Sequence, residues 1–399
     1  MGTATATPLA AERAQARDIR LDVALWCAGI ATFGLLYAPQ GLLTQVSLTL
    51  SLDAVQASWL ISGATLGLAA SILPWALISD RIGRRAALQA STLSASVFAL
   101  IGPFLPGFEG LLAGRVLLGV ALGGVPALAM TYLHEATAVR RSAAVAAAFI
   151  AATSVGGLAG RIAAGPLAEV GGWRTSLIVL GVVGAALCIA AAILLPPARP
   201  AVTSLGESLR VLMRQFAQGR RLPLYAIGAL SVGATVATYN SLMFRLESPP
   251  YLLPPSAVSL VFACYAAGTL TSRFSSSLAA AIGVRATLVV AGLVIGGGIL
   301  TTLADPLWAV IAGVALVTGG MFLAHSTANA HVARTSGGGR QHAVALYSVS
   351  YYIGSSVCGV IGALAWASGG WVALAWTVCG LGLAIVLLSL AVSPARGRD

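Results

Sequence analysis

Lysine is absent from this 399-residue chain, so all 23 basic side chains are arginines, and charged residues of both signs make up only 9% of it. With 58% hydrophobic residues and a mean hydropathy of +0.91, that scarcity of charge excludes an ordinary water-soluble globule. Disorder is excluded too, because it requires low hydrophobicity and high net charge. No Asp or Glu falls in the middle of any long apolar run. The five cysteines, Cys27, Cys188, Cys264, Cys358 and Cys379, lie inside such runs without metal-ligand spacing, so they are expected to be packing residues and no metal site is expected. No phosphate-binding G-x-x-x-x-G-K-[ST] occurs, and His134-Glu135 is not completed to H-E-x-x-H. No Ser sits in a G-x-S-x-G context. These absences argue against ATP-driven pumping and against a membrane enzyme, and no cofactor is expected. Residues 1–20 are polar and lack a small-residue cleavage site after an apolar core, which predicts a retained tail and not a cleaved signal.

What fills the chain is apolar sequence in pieces of about twenty residues, the length that crosses ~30 Å of hydrocarbon as a helix. About twelve are found, near 22–46, 57–79, 86–105, 109–133, 142–166, 174–196, 222–246, 257–279, 286–304, 307–330, 342–367 and 371–393. Barrel strands would alternate apolar and polar positions, whereas Gly181 to Leu195 is apolar all round. The expected fold is therefore an all-α polytopic membrane protein. A formal net charge of +11 would suggest a nucleic-acid partner in a soluble protein. Here the arginines follow topology instead. With the N-terminus inside, eighteen fall on the cytoplasmic side, Arg174 sits in an opposite loop, and Arg115, Arg161, Arg245 and Arg273 lie within or at the ends of spans. That pattern predicts cytoplasmic termini and a bacterial inner membrane location, with a lipid bilayer and no nucleic acid as surroundings. A monomer is expected.

The longest polar stretch, 197–221, divides the chain into a six-span bundle at 22–196 and a second at 222–393, flanked by tails at 1–21 and 394–399. Within it, Ser204 and Glu207 form a capping-box pattern ahead of Leu205, Leu209, Leu212 and Phe216 at helical spacing, which fits a short amphipathic helix on the membrane surface; a plain linker is the alternative. The halves repeat. Ile82, Gly83, Arg85, Ala86 and Leu88 recur 200 residues on as Ile282, Gly283, Arg285, Ala286 and Leu288. Gly156 recurs as Gly354, Gly171-Gly172-Trp173 as Gly369-Gly370-Trp371, and Tyr37 corresponds to Tyr239. Duplicated six-span halves are an architecture of secondary transporters, with the substrate near the midplane between them.

Several stretches carry a family resemblance. Ala76-Leu-Ile-Ser-Asp80-Arg81-Ile-Gly83-Arg84-Arg85 resembles the signature loop G-x-x-x-D-R-x-G-R-R of the major facilitator superfamily, with Ala for the first Gly. The resemblance implies a conformational latch for Asp80, Arg81, Gly83, Arg84 and Arg85, joined by Glu135 and Arg141, steadying the outward-open state; simple topogenic charge is the alternative. Arg115, Gly119 and Gly123 resemble the family's R-x-x-Q-G-x-x-x-G stretch. Gly156, Gly160, Arg161 and Gly165 resemble the drug-antiporter motif G-x-x-x-G-P-x-x-G-G, with Arg161 in place of Pro. Independently of the family, small residues four apart allow close helix packing in lipid. The chain is most similar to the drug:proton antiporter-1 type, which includes bacterial exporters called arabinose-efflux permeases, and that implies export of a small molecule against protons.

The membrane interior offers arginines and few acids. A buried charge costs several kcal/mol, so intramembrane ionisable groups are functional candidates. Arg161 and Arg273, with Arg115, are candidates to line the cavity and bind an anionic or polar substrate, because the guanidinium fork suits carboxylate. Alternatively, Arg115 and Arg161 hydrogen-bond exposed carbonyls and Arg273 snorkels. Tyr37, Gln40, Tyr239, Asn240, Tyr347 and Tyr351 are further substrate-binding candidates, with an interfacial aromatic belt as the competing explanation. For proton coupling, His325 is the best titratable group, with Arg115 and Asp22 as further candidates; a His packed against Ser326 and Asn329 is the alternative. The expected activity is proton-coupled export of a small polar or anionic molecule or drug by alternating access, and the alternative is uptake or exchange of organic anions.

Overall fold

A computed structural model describes residues 8–137, 139–197, 219–336 and 339–392, and every described regular element is a helix. The surface helix expected around 204–216 and the tail 394–399 lie outside these residues. The α-helices are α1 (Pro8–Tyr37), α2 (Leu43–Leu50), α3 (Ala54–Ile82), α4 (Arg84–Ile101), α5 (Gly107–Leu122), α6 (Gly124–Ala136), α7 (Val139–Leu194), α8 (Leu222–Glu247), α9 (Pro255–Ser259), α10 (Tyr265–Ile282), α11 (Val284–Thr301), α12 (Leu307–Thr335) and α13 (Arg340–Leu390). Helix α1 starts well inside the stretch expected to be a tail. Among the described residues, ten helical stretches are long and apolar enough to cross a membrane.

Ten stretches stand where twelve runs were expected because two turns contain no coil. Helices α7 and α13 have 56 and 51 residues, which would reach ~84 and ~76 Å if straight. Both double back. Gly172 leaves helical geometry at φ 79°, and the Ser176 hydroxyl donates to the Ala164 carbonyl at 2.9 Å, although twelve residues of straight helix span ~18 Å. Gly369 and Gly370 make the corresponding break, Gly370 at φ 60°.

Sequence repetition becomes structural repetition. Helix α3 begins on a reciprocal cap in which Asp53 accepts from the Gln56 amide and Gln56 accepts from the Asp53 amide. It ends at Gly83, φ 85°, and α10 ends at Gly283, φ 86°, each followed at once by the next helix. One residue beyond that helix's start, Arg85 donates to the Leu195 carbonyl at 2.8 Å and Arg285 to the Val392 carbonyl at 3.1 Å, so each guanidinium holds the last helix end of its own half. A Cβ on Gly156 would lie 2.2 Å from the Ile30 carbonyl oxygen, and one on Gly354 2.2 Å from that of Ala229. These are the same helix crossing made twice.

The buried cores divide accordingly. One cluster runs from Leu224 to Val392, with Leu158 and Ile162 at its edge. The others lie between Leu21 and Leu195, apart from Tyr352 and a few partly buried neighbours. Between the halves, α3 meets α13 and α7 meets α9. Thr65 and Ser356 share a hydrogen bond of 2.7 Å, Ser259 donates to the Ile162 carbonyl at 3.1 Å, and Glu169 accepts from the Ser256 amide at 2.8 Å. Gly165 allows Pro255 to approach, since a Cβ there would lie 2.3 Å from its carbonyl oxygen.

Candidate functional site

Proline creates the first feature of the site. Pro39 has no N–H for the Leu35 carbonyl, so α1 ends at Tyr37 and continues as a 3₁₀ turn over Ala38–Leu42. Arg115, on α5, fills the gap left in the ladder. Its Nη1 donates to Leu35 at 2.9 Å, its Nη2 to Leu36, and its Nε to the Leu60 carbonyl of α3 at 3.0 Å. The carbonyl end of a helix also favours a cation electrostatically. Arg115 therefore joins α5, α1 and α3, with all its charge directed at backbone. Beside it, Gly119 and Gly123 bring α5 against α3: Cβ atoms there would lie 1.9 Å from the Ala64 oxygen and 2.0 Å from the Ser71 hydroxyl.

The 3₁₀ turn places Gln40 at the seam between the halves, fully buried. Arg161 Nε donates to Gln40 Oε1 at 2.7 Å, Gln40 Nε2 to Asn240 Oδ1 at 2.7 Å, Asn240 Nδ2 to Ser58 Oγ at 3.0 Å, and Ser58 Oγ to the Gly359 carbonyl at 3.0 Å. The direction of this chain is fixed, because a guanidinium only donates and a carbonyl only accepts, which orients both amides between them. Five segments meet here: α7, the 3₁₀ turn, α8, α3 and α13. Gln40 and Asn240 stand 200 residues apart, the repeat offset, and bond to each other across the seam.

Arg161 is only 3% exposed. Its Nη1 donates to Gly157 one turn back at 2.8 Å, and Nη2 makes no hydrogen bond among the described residues. Rings from both halves lie against the guanidinium: Tyr37 at 4.0 Å from its ring centre, Tyr265 at 4.7 Å and Phe262 at 5.5 Å. No carboxylate pairs with it among the described residues, whose ion pairs involve Arg84 and Arg141. A cation so placed is stabilised by amide and π electrons and keeps one donor edge for an incoming acceptor.

The remaining predicted residues divide into those that share this region and those that do not. Tyr239 turns into the C-terminal half, bonded to Thr318 at 3.0 Å and stacked on Phe262 at 5.0 Å. His325 lies beside Tyr347, whose hydroxyl is 3.1 Å from Nδ1, and its ring is 4.7 Å from that of Tyr351. Gly228 makes room for Tyr347. Arg273 is exposed on α10 and makes no hydrogen bond or ion pair with the described residues; the structure does not bring it to Arg161. Asp22 is bonded to Arg141 at 2.6 Å, and Asp18 pairs with the same arginine at 2.5 Å, so a proton-coupling candidate and a latch candidate share one cluster. Arg84 is paired with Glu135. Asp80 stands in the last turns of α3, and Arg81 is exposed. Gly160 allows α7 to approach α1, where a Cβ would lie 2.6 Å from the Gly34 oxygen. Ser58, Phe262, Tyr265 and Gly359 were not singled out from sequence; nothing distinguishes a serine or a glycine inside an apolar run from an ordinary packing residue.

Comparison with known proteins gives one consistent result. Residues 25–249 match the family model of the Major Facilitator Superfamily. The chain is 32% identical over 355 residues to the uncharacterized MFS-type transporter YybF of Bacillus subtilis (strain 168), covering 88% of each chain. It is also 32% identical over 363 residues to the inner membrane transport protein YnfM of Escherichia coli (strain K12), covering 90% of this chain and 87% of that one. Among solved structures, the nucleoside transporter NupG superposes with a TM-score of 0.74 at 14% identity, over 94% of this chain and 99% of that one. A POT family transporter in complex with 5-aminolevulinic acid superposes with a TM-score of 0.72 at 16% identity, over 93% and 94%.

Proposed function

This chain belongs to the major facilitator superfamily of membrane transporters, and on that premise we propose that it is a secondary active transporter of small organic anions or polar molecules, working by alternating access. In this reading the doubled-back α7 and α13 complete twelve crossings in two six-helix bundles of a bacterial inner membrane, with both termini cytoplasmic. The seam contacts near Gly172 and Pro255 then form an outer gate, shut in this conformation. Coupling is by protons and net movement is outward, as in the drug:proton antiporter-1 type. No cofactor takes part.

One observation carries the substrate reading: Arg161, buried at the seam, has an unbonded Nη2 and no carboxylate partner among the described residues. Leaving such a charge without a counterion costs several kcal/mol, and an anionic cargo relieves that cost while it is bound. An anion on Nη2 shares the guanidinium that donates through Nε to Gln40 Oε1, so a shift of Arg161 towards its cargo strains the Gln40–Asn240 link between the halves and ties occupancy to the outer gate. The same arginine supports a second reading, uptake or exchange of organic anions.

Thermal unfolding of the detergent-purified protein against small organic acids, neutral sugars and cationic amphiphiles tests the site, because a ligand that binds only the folded state raises its stability. Stabilisation by acids that disappears in Arg161→Ala is expected. Stabilisation by neutral or cationic compounds alone, unchanged in the variant, would overturn it. In proteoliposomes, an imposed pH gradient that drives the bound acid against the proton flow supports antiport, and flux independent of the gradient supports exchange.

A further inference from the structure

Resting on the anion reading of Arg161, we propose that the cargo is a planar aromatic monocarboxylate, and that Tyr37 and Tyr265 are its specificity-determining residues. The charge count comes first. A single guanidinium without a second cation in contact complements one negative charge, so a dianion would leave a charge unmet in a low-dielectric site.

Shape comes next. With Nε committed to Gln40 and Nη1 to Gly157, an acceptor meets the guanidinium through Nη2, while the rings of Tyr37 and Tyr265 lie against the group at 4.0 and 4.7 Å. A carboxylate prefers the plane of the guanidinium it binds. A ring conjugated with that carboxylate stays in the same plane and continues between aromatic neighbours, whereas a saturated ring of equal size is thicker and has no π face.

The surroundings extend this aromatic lining. Tyr265 is edge-on to Phe322 at 5.8 Å, and Tyr351 faces His325 at 4.7 Å. These residues come from α10, α12 and α13, and all four remain partly exposed. Aromatic surface left open next to one unpaired cation is complementary to an aromatic ring carrying one anionic group.

The test compares benzoate, cyclohexanecarboxylate and benzamide as binding probes for the purified full-length protein, by calorimetry and thermal shift. Cyclohexanecarboxylate has the same charge and greater hydrophobicity, so a preference for benzoate cannot come from apolar burial alone. The expected result is benzoate about three- to tenfold tighter than cyclohexanecarboxylate, with no binding of benzamide. Tyr265→Leu should reduce the benzoate preference to near unity and Tyr265→Phe should retain it; because the readout is a ratio within one protein, modest loss of stability does not disturb it. Equal affinity for the two carboxylates, lost in Arg161→Gln, would overturn the aromatic proposal and leave the anion reading standing. Binding of benzamide as strong as that of benzoate, or no binding of either acid, would overturn both.

Discussion

Replacing Asn240 by leucine, of similar volume, should unlock the seam near Gly172 and Pro255. The substitution removes two hydrogen bonds that join the halves, to Gln40 at 2.7 Å and to Ser58 at 3.0 Å. Interhelical side-chain hydrogen bonds within a membrane contribute about 0.6 kcal/mol on average and at most about 1.7. Two of them, both fully buried, therefore bias the closed seam by roughly 1–3 kcal/mol, and their loss should raise the open population about fivefold to a hundredfold. The five native cysteines would be replaced and single cysteines introduced at Val170 and Ser248, which are exposed at that end on opposite halves. Distances between spin labels at these sites, measured in nanodiscs, should show one short population in the parent and a second, longer one in Asn240→Leu. Gln40→Leu should act through the same link, so the double variant should open little further than either single one. An unchanged distance distribution in folded, monodisperse Asn240→Leu would refute the assignment of a gate to this hydrogen-bond chain.

Three further outcomes follow from packing and charge. Gly156→Ala and Gly354→Ala should each destabilise the protein by about 1–3 kcal/mol, and by similar amounts because they serve equivalent crossings, while Gly297→Ala, with nothing within 4 Å of the added carbon, should be neutral or stabilising by up to ~1 kcal/mol in thermal unfolding. Arg115→Met should cost several kcal/mol by orphaning buried carbonyls, and Pro39→Ala in the same chain should recover about 1 kcal/mol by restoring a donor for Leu35; no recovery would separate Arg115 from the proline break. Arg84→Glu should lower stability by about 1–3 kcal/mol through loss of its partly buried ion pair, and adding Glu135→Arg should restore most of it, as read by thermal unfolding and by flux.

Much of this organisation was legible in the sequence, and the limits have physical causes. Apolar run length located the helices, and the recurrence of Gly83 as Gly283 marked two equivalent helix ends, where a positive φ leaves few residues other than glycine. The continuity of α7 and α13 was not legible: paired glycines reverse a helix within two residues, so Glu169 and Arg174, which mark the first turn, stand on helix and not in a loop. Gln40 and Arg161 were recognisable as polar groups in apolar runs, but their pairing depended on Pro39, which turns the chain into a 3₁₀ helix and resets which side chains face the seam. Tyr37 and Tyr239 do not take equivalent places: they stand 202 residues apart where Gln40 and Asn240 stand 200 apart, and Tyr37 lies against Arg161 while Tyr239 bonds Thr318 within its own half. Ser58 and Gly359 were hidden because one hydroxyl and one carbonyl look like packing until their partners are known.

The offset that relates Gly156 to Gly354 also relates Arg161 to Gly359, so the hydrogen-bond chain runs between a position and its own counterpart in the other half. One copy contributes a cation and the other contributes bare backbone, where even a Cβ would lie 3.0 Å from the Ser62 hydroxyl. A duplicated scaffold thus carries a chemically one-sided centre: its mechanics belong to both copies, while its selectivity can diverge through a single codon pair without disturbing either bundle.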